Sequence, residues 1–295
     1  MRGPPVNDLA CPMPSLRLPG SVRTLPFALR QALLLAAAVG VYFGVRHLTE
    51  GDVVTATRNA GRIVDAERAL GIFVEQPFQA WALGLDGVTT VFNAVYIWAH
   101  WPVIIAVLGW LAWRRRDAFV VYRNALLISG VVGMVIVATF PVAPPRLLDL
   151  GFVDTVTLHT ESYRVLQPPS LTNQYAAMPS FHVGWDLLMG IALVREAPYR
   201  WARAVGWALP GLMLVAVVVT GNHFLLDAVV GDAIVIAALA LSVRLARRRD
   251  PANAHTEAAE EPDTGTRLPA PRPAPDRVPE PAVGRVGLEP TTQGL

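Results

Sequence analysis

The chain has 295 residues, of which 53% are hydrophobic and only 16% are charged, and its mean hydropathy is +0.40. This composition excludes an ordinary soluble domain and indicates an integral membrane protein. The formal net charge of +2 gives no reason to expect a nucleic-acid partner, and the absence of lysine excludes a lysine base or Schiff base. The single cysteine, Cys11, excludes an intrachain disulfide.

Apolar runs define the central region of the chain. Residues 1–27, which precede them, are rich in Pro and Arg and are predicted to form a cytoplasmic segment. Six runs are long enough, or nearly so, to span a bilayer as helices: 28–48, 88–113, 119–140, 180–194, 204–220 and 224–243. We therefore predict an all-α membrane domain, a bundle of six transmembrane helices, over residues 28–249.

Two further segments are too polar to span a membrane. In residues 51–82 the apolar side chains recur at helical spacing, which predicts an amphipathic helix or helix pair on the outer interface. Residues 250–295 are rich in Pro, Ala and Glu. Because such a composition cannot bury a core, this segment is predicted to be a disordered cytoplasmic tail.

Arginine residues indicate how the six spans are oriented. They cluster before the first run, between the second and third, between the fourth and fifth, and after the sixth. Six spans would bring these four segments to one side of the membrane, and an excess of Arg marks the cytoplasmic side. We predict a multi-pass protein of the plasma membrane with both termini in the cytoplasm.

Three short segments at the ends of apolar runs come to the outer face in this topology. They are Pro-Val-Ala-Pro-Pro-Arg at 141–146, Met-Pro-Ser-Phe-His at 178–182 and Gly-Asn-His-Phe-Leu-Leu-Asp at 221–227. Ionisable residues at the ends of membrane helices often mark functional sites. Their combined side chains suit phosphoryl transfer through a histidine, in an active site on the outer face.

His223 is the predicted nucleophile. Asp227 is four residues further on, so the two share one face of the last predicted helix. The carboxylate can accept the proton of one ring nitrogen and leave the other to attack phosphorus. Gly221 and Asn222 predict a tight turn with an N-cap, and the positive helix end then favours the neutral imidazole.

The other two segments supply a predicted acid and a phosphate site. His182, at the start of the fourth span, is suited to protonate the leaving group. Amides at that helix start and the Ser180 hydroxyl can bind phosphate oxygens, and the planar guanidinium of Arg146 can grip two of them. This arrangement requires no metal and no other cofactor.

Four more polar residues are predicted to support the site or a headgroup. Asp186 is four residues after His182 and could orient it, or could instead bond to Asn93 or Tyr96. Asn93, Tyr96 and His100 fall on roughly one face of the second span. A structural row of hydrogen bonds is the preferred interpretation of that face, ahead of headgroup binding.

The three segments resemble the signature motifs of the type-2 phosphatidic acid phosphatase superfamily, which includes the vanadium haloperoxidases. They are most similar to the branch that contains the inositol phosphorylceramide synthases. Pro-Pro-Arg at 144–146, Pro-Ser-Phe-His at 179–182 and His223 with Asp227 carry the resemblance. It implies a six-helix membrane fold, a phosphohistidine on His223, and His182 as the acid.

The sequence also departs from the usual motifs. Thr139 stands at the usual Lys position, Phe181 replaces a Gly, and Val217 stands at the usual Arg position. These changes leave the phosphate site short of positive charge. Either Arg164 compensates, or the substrate is a phosphodiester rather than a dianionic monoester.

Three functions remain open from the sequence. The first is a lipid phosphatase, in which water attacks the phosphohistidine, and the second is a phosphotransferase, in which an alcohol such as an inositol or sugar hydroxyl attacks instead. The substrates considered are polyprenyl phosphates or diphosphates, phosphatidic acid and phosphoinositol-bearing lipids. The third is a non-enzymatic or metal-binding membrane bundle. The positive charge of Arg146 nearby argues against a bound metal ion. The oligomeric state is left open.

Overall fold

The computed structural model describes residues 26–48, 52–156 and 174–248 of the chain. Within these ranges the regular elements are helices, apart from one isolated bridge between Val142 and Ala176. The helices are α1 (Phe27–Leu48), α2 (Val53–Leu70), α3 (Glu75–Leu83), α4 (Val88–Trp98), α5 (Trp101–Arg114), α6 (Arg116–Thr139), α7 (Phe181–Glu196), α8 (Arg200–Val219) and α9 (Leu225–Arg248). The all-helical prediction is confirmed for this part of the chain. Residues 1–25, Arg164 and the predicted tail lie outside it.

A helix occupies each of the six predicted spans. Three of them, α6, α8 and α9, are long and apolar enough to cross a membrane, and α4 with α5 makes a fourth if the bent pair is one span. The strongly apolar part of α1 is the shorter stretch Leu29–Ala38, and α7 has only 16 residues. The three or four long apolar helices indicate a helical membrane protein. That the chain crosses the membrane six times stays a prediction.

The second predicted span is two helices rather than one, which corrects the sequence interpretation. α4 ends at Trp98, α5 begins at Trp101, and their axes differ by 41°. Pro102 is the second residue of α5 and has no N–H to donate to the carbonyl of Trp98, so a continuous helix is interrupted here. The break leaves His100 buried between the two helices, only 3% exposed.

The central helix of the bundle is α7, which packs against α8, α9 and α5. Glycine allows two of these contacts to be very close. A Cβ on Gly190 of α7 would lie 2.5 Å from the carbonyl oxygen of Gly206 on α8. A Cβ on Gly231 of α9 would lie 2.3 Å from the carbonyl oxygen of Ser180. Small residues at helix crossings let backbones approach, and here they bring the start of α7 against α9.

The predicted amphipathic segment, residues 51–82, forms a helix pair, α2 and α3, of which α2 is the longer. The buried apolar face of α2 packs on the segments that carry the sequence motifs; the buried residues of this cluster are Ala56, Ala60, Ile63, Val64, Val142, Ala143, Ala177 and Phe224. Only the ends of its apolar stripe remain open, with Val53 54% and Leu70 64% exposed. Thus α2 covers the motif segments and does not offer its whole apolar face to an interface.

Candidate active site

The three motif segments meet at one end of the bundle and are joined by backbone hydrogen bonds. The first is joined to the residues directly before the second through the isolated bridge between Val142 and Ala176. The second and third are joined because the Ser180 N–H donates to the carbonyl of Asp227, 2.9 Å away. The third and first are joined because the Arg146 N–H donates to the carbonyl of Gly221, 3.0 Å away.

His223 lies in the short turn between α8 and α9 and is only 6% exposed. Its Nδ1 is 2.7 Å from the carbonyl oxygen of Ala177 and 3.7 Å from Oδ2 of Asp227. A carbonyl oxygen can only accept a hydrogen bond, so this contact assigns the ring proton to Nδ1 and the lone pair to Nε2. The carbonyl of Ala177 therefore has the role that the sequence assigned to Asp227.

Asn222 is not an N-cap, which corrects a second detail of the prediction. Its Oδ1 accepts a hydrogen bond from the guanidinium of Arg146, and its Nδ2 donates to Oγ1 of Thr220 at 2.7 Å. Gly221 ends α8 with φ +65°, a left-handed conformation that suits glycine. Because α9 begins only at Leu225, His223 precedes the helix rather than lying on its face.

Three consecutive backbone N–H groups at the start of α9 are each bound by a different buried carboxyl group. The pairs are Phe224 with Asp227 at 2.9 Å, Leu225 with Glu75 at 2.8 Å and Leu226 with Glu67 at 2.8 Å. These acceptors satisfy the donors that a helix start leaves open. The start of α9 therefore has no amides left for phosphate in these three positions.

The start of α7 differs from the start of α9. Ser180 is its N-cap residue, yet the side chain makes no capping bond. Its hydroxyl is fully buried and has no hydrogen-bond partner in the part of the chain that the structure describes. Because a buried hydroxyl without a partner costs free energy, and helix starts favour anions, this end of α7 suits a phosphate oxygen.

Arg146 lies in a 3-10 turn, Pro145–Leu147, beside the Gly221–Asn222 turn that precedes His223. Its Nε is 3.3 Å from Oδ2 of Asp154, and its NH1 group donates to Asn222. These two partners fix the plane of the guanidinium and still leave N–H donors for a ligand. The carboxylate also offsets part of its positive charge.

His182 is held in a stack of rings. It lies 4.4 Å from the ring of Tyr96 and 4.4 Å from the ring of His100, centroid to centroid. The ring of His223 is 5.7 Å away, so both predicted catalytic histidines line one site. Asp186, which the spacing assigned to His182, has Oδ1 3.1 Å from Nδ1 of His100.

The remaining supporting residue, Asn93, contacts Thr155 rather than the histidines. Its Nδ2 donates to the carbonyl of Thr155 at 3.0 Å, and its Oδ1 accepts from the hydroxyl of Thr155 at 2.8 Å. This is the structural hydrogen bond expected from the sequence. Tyr96 and His100, in contrast, contact the predicted acid.

Phe181, which replaces the glycine of the usual second motif, packs in a gap on α6. A Cβ on Gly133 would lie 2.0 Å from Cε2 of the Phe181 ring. The ring also stacks on Trp185, with centroids 4.9 Å apart. A glycine on the neighbouring helix thus provides the volume that the phenylalanine occupies.

Two acidic residues of the site were not predicted as site residues. Glu67 lies on the apolar stripe of α2 with Ala60, Ile63 and Val64, and a carboxyl group on such a stripe is a detectable signal. Glu75 is the first residue of α3 and gives no comparable pattern. Among the described residues, no three His, Cys, Asp or Glu side chains are grouped to hold a metal ion.

Comparison with known proteins gives one match. A family model described as the PAP2 superfamily matches residues 61–241, which is more than half of the chain. The matched region contains all three motif segments and both acidic residues on α2 and α3. No curated protein and no solved structure matches the chain.

Proposed function

The chain belongs to the PAP2 superfamily, and from this membership we propose that it is a membrane enzyme that transfers a phosphoryl group from a lipid phosphate or diphosphate through a phosphohistidine. Membership supports an enzyme that acts on phosphate esters. One observation carries the finer proposal: the carbonyl of Ala177 holds the Nδ1 proton of His223, so that the lone pair is on Nε2. His182 lies 5.7 Å away, within reach of a leaving group bound between the two rings.

In the proposed first step, Nε2 of His223 attacks phosphorus. The new N–P bond forms as the P–O bond to the lipid breaks, and the electron pair leaves with the lipid oxygen. His182 donates a proton to that oxygen. Arg146 and the amides at the start of α7 bind the other phosphate oxygens, where charge accumulates in the transition state.

In the proposed second step, the phosphohistidine is attacked by an oxygen nucleophile. Neutral His182 accepts the proton of the nucleophile, the O–P bond forms, and the N–P bond breaks to restore His223. A water nucleophile makes the enzyme a phosphatase, and an alcohol makes it a phosphotransferase. Both reactions use the same residues up to the intermediate.

A second candidate is a phosphodiester-type transferase that moves phosphoinositol or a similar headgroup to an alcohol acceptor. The observation that favours it is the pairing of Arg146 with Asp154 at 3.3 Å, which reduces the positive charge offered to phosphate. A monoester carries between one and two negative charges near neutral pH, but a diester carries one. A site with a partly offset cation suits the diester, as in the inositol phosphorylceramide synthase branch.

The proposed setting is the outer leaflet of the plasma membrane, with six spans and both termini in the cytoplasm. The distribution of arginine at the helix ends supports this orientation. The ends away from the motif segments are basic; they include Arg114, Arg116, Arg200, Arg203, Arg247 and Arg248. An arginine-rich face is expected in the cytoplasm, which leaves the site outside.

The proposal is tested with the full chain purified in detergent, in the presence of EDTA. Radiolabelled phosphatidic acid, polyprenyl phosphate, polyprenyl diphosphate and phosphatidylinositol are each supplied with and without inositol or other alcohols. His223→Ala and Arg146→Ala are the variants compared with the wild type. Arg123→Ala is the matched control, because Arg123 lies far from the site. It is about 24 Å along α6 from Thr139, the last residue of that helix before the first motif segment.

The products distinguish the candidates. Inorganic phosphate released by the wild type, and lost in both site variants, identifies a phosphatase. Label that enters a new phosphate ester, lipid or soluble, only when an alcohol is present identifies a transferase. Turnover that is unchanged by His223→Ala would contradict the phosphohistidine mechanism.

A further inference from the structure

Glu67 and Glu75 form a buried pair behind His223. They come from two different helices, α2 and α3, and both are 0% exposed. One oxygen of each accepts a backbone N–H at the start of α9. Because Leu225 and Leu226 are consecutive, the two carboxyl groups that bind their amides lie close together. The second oxygen of each is buried and meets no other donor among the described residues.

Two ionised carboxylates are unstable in this arrangement. Their charges repel in a buried environment, and each carboxylate has one buried oxygen without a donor in the described part of the chain. One shared proton removes both costs, since it turns one oxygen into a donor and lowers the charge by one. Burial, together with the nearby carboxyl groups of Glu75 and Asp227, raises the pKa of Glu67 to about 8.

We propose that Glu67 and Glu75 share one proton and act as positioning residues for the nucleophile His223. This inference rests on the proposed function, because it assigns the pair a role in preparing the attacking ring. The pair binds two consecutive amides at the start of α9, only two and three residues after the histidine. It therefore fixes the turn from which the imidazole reaches the carbonyl of Ala177.

The shared proton also limits the negative charge behind the imidazole. The groups that face Glu67 are Glu75 from α3 and Asp227 from α9, and Asp227 is in turn 3.7 Å from His223. Three ionised carboxylates would favour the imidazolium, which has no lone pair with which to attack. With one proton on the pair, less negative charge lies behind the ring, while Asp227 is still available to stabilise the positive phosphohistidine.

Glutamine substitutions test the shared proton, because glutamine has the shape of a protonated glutamate. In Glu67→Gln the amide oxygen can still accept the Leu226 N–H while the amide NH2 group donates to Glu75. Glu75→Gln gives the mirror arrangement with the Leu225 N–H. In the double variant two NH2 groups face each other, so the pair loses its complementarity. Single substitutions are thus expected to be tolerated, and their combination is not.

Orthovanadate is a suitable probe, because it takes the five-coordinate geometry of a phosphoryl transition state and does not depend on the lipid substrate. Its dissociation constant is measured by 51V NMR between pH 6 and 9, with the full chain in detergent. Each variant is compared with the wild type at the same pH, which cancels the titration of vanadate itself. Thermal unfolding and size-exclusion profiles confirm that the variants are folded.

The expected result has two parts. At pH 7 each single variant binds vanadate within about 3-fold of the wild type, and the double variant binds at least about 10-fold more weakly. As the pH rises through about 8, the wild type loses affinity relative to Glu67→Gln, because Glu67 loses a proton that the amide keeps. A structural role alone would not produce this difference in pH dependence.

Two contrary results have different meanings. If His223→Ala abolishes vanadate binding but the double glutamine variant matches the wild type, the shared proton is overturned and the proposed function stands. The same conclusion follows if either single variant binds as weakly as the double. If His223→Ala leaves vanadate binding unchanged, the proposed function itself fails.

Discussion

His223 depends on a backbone carbonyl, rather than on a side chain, for its tautomer. The 2.7 Å contact with Ala177 is shorter than the 3.7 Å contact with Asp227, whose Oδ2 already accepts the N–H of Phe224. The negative charge of Asp227 remains close enough to stabilise a positive ring. The two roles that a catalytic Asp often combines, orientation and charge, are therefore divided here between a carbonyl and a carboxylate.

This division predicts a moderate effect for Asp227→Asn. The asparagine oxygen can still accept from Phe224, and Ala177 still holds the ring proton, so only the charge is lost. A hydrogen-bonded charge of this kind contributes roughly 1.5–3 kcal/mol, which corresponds to about 10-fold to 100-fold in turnover. The measurement is the single-turnover rate with the lipid phosphate that proves active. His223→Ala is the reference for complete loss of activity. An equally complete loss in Asp227→Asn would mean that Asp227, and not the carbonyl of Ala177, fixes the tautomer of His223.

The two His-x3-Asp pairs show how far residue spacing predicts contacts. The spacing places His223 and Asp227 together, and the structure does so, but with the histidine before the helix instead of on it. For Asp186 the sequence left His182, Asn93 and Tyr96 open as partners. In the structure its Oδ1 instead lies 3.1 Å from Nδ1 of His100, which comes from another part of the chain. Residue spacing predicts neighbours within one helix. It contains no information about a residue such as His100, which the break between α4 and α5 places next to another helix.

At the scale of elements, the close packing of α6 on α7 fixes where Ser180 and His182 lie. The ring of Phe181 packs over Gly133. Ser180 and His182 are the residues directly before and after Phe181 in the chain. Neither Phe181 nor Gly133 alone predicts their contact from the sequence. From the sequence, Phe181 is only a departure from the usual second motif. Its packing partner, Gly133 on α6, is known only from the structure.

Gly133→Ala is therefore expected to destabilise the protein through Phe181. The added methyl would lie 2.0 Å from the ring, and overpacking of this kind costs about 1–3 kcal/mol. The apparent melting temperature in detergent should fall by several degrees, and activity should fall with it as Ser180 and His182 move. Gly130→Ala is a matched control on the same helix, because its Cβ would meet the Trp185 ring at an ordinary 3.7 Å.

The double variant Gly133→Ala/Phe181→Gly tests the contact itself. Removal of the ring makes room for the new methyl, so the loss caused by Gly133→Ala should be much smaller in a Phe181→Gly background. This difference is the coupling energy of a double-mutant cycle. Strictly additive losses would mean that the two positions do not constrain each other.

Helix positions were predictable from the sequence because apolar character is a local property of each run. Every predicted span contains a helix, and the amphipathic run became α2 and α3. The break at His100 was signalled by Pro102, but a run of apolar residues on both sides concealed it. The residues that pack on the apolar face of α2 could not be predicted from the sequence, since Val142 and Phe224 lie far away in the chain.

At the scale of the whole molecule, several arginine-bearing helix ends lie at the opposite end of the bundle from the three motif segments. Arg114, Arg200 and Arg248 are found at helix ends away from the three motifs. Apolar side chains are exposed between the ends; those of α6 include Val131 and Val135, 55% and 58% exposed. An exposed apolar band between a basic end and a polar site is the pattern of a protein that crosses a membrane.

Whether α1 and α7 cross the membrane is the decisive question for this orientation. A helix of 16 residues is about 24 Å long, shorter than the roughly 30 Å hydrocarbon core. Six spans with both termini in the cytoplasm require that both helices nevertheless cross. Three single cysteines separate the possibilities: native Cys11 before α1, Asp86→Cys between α3 and α4, and Tyr199→Cys between α7 and α8, the last two in a Cys11→Ser background.

A membrane-impermeant maleimide applied to intact cells is expected to label only Asp86→Cys. Asp86 lies in an exposed turn, and six spans would put this turn outside and the other two cysteines in the cytoplasm. All three should react after permeabilisation, which controls for access of the reagent. Labelling of Cys11 together with Asp86→Cys would mean that α1 does not cross. Labelling of both Asp86→Cys and Tyr199→Cys in intact cells would put the two loops on the same face. That result would exclude six crossings, because three predicted spans lie between them.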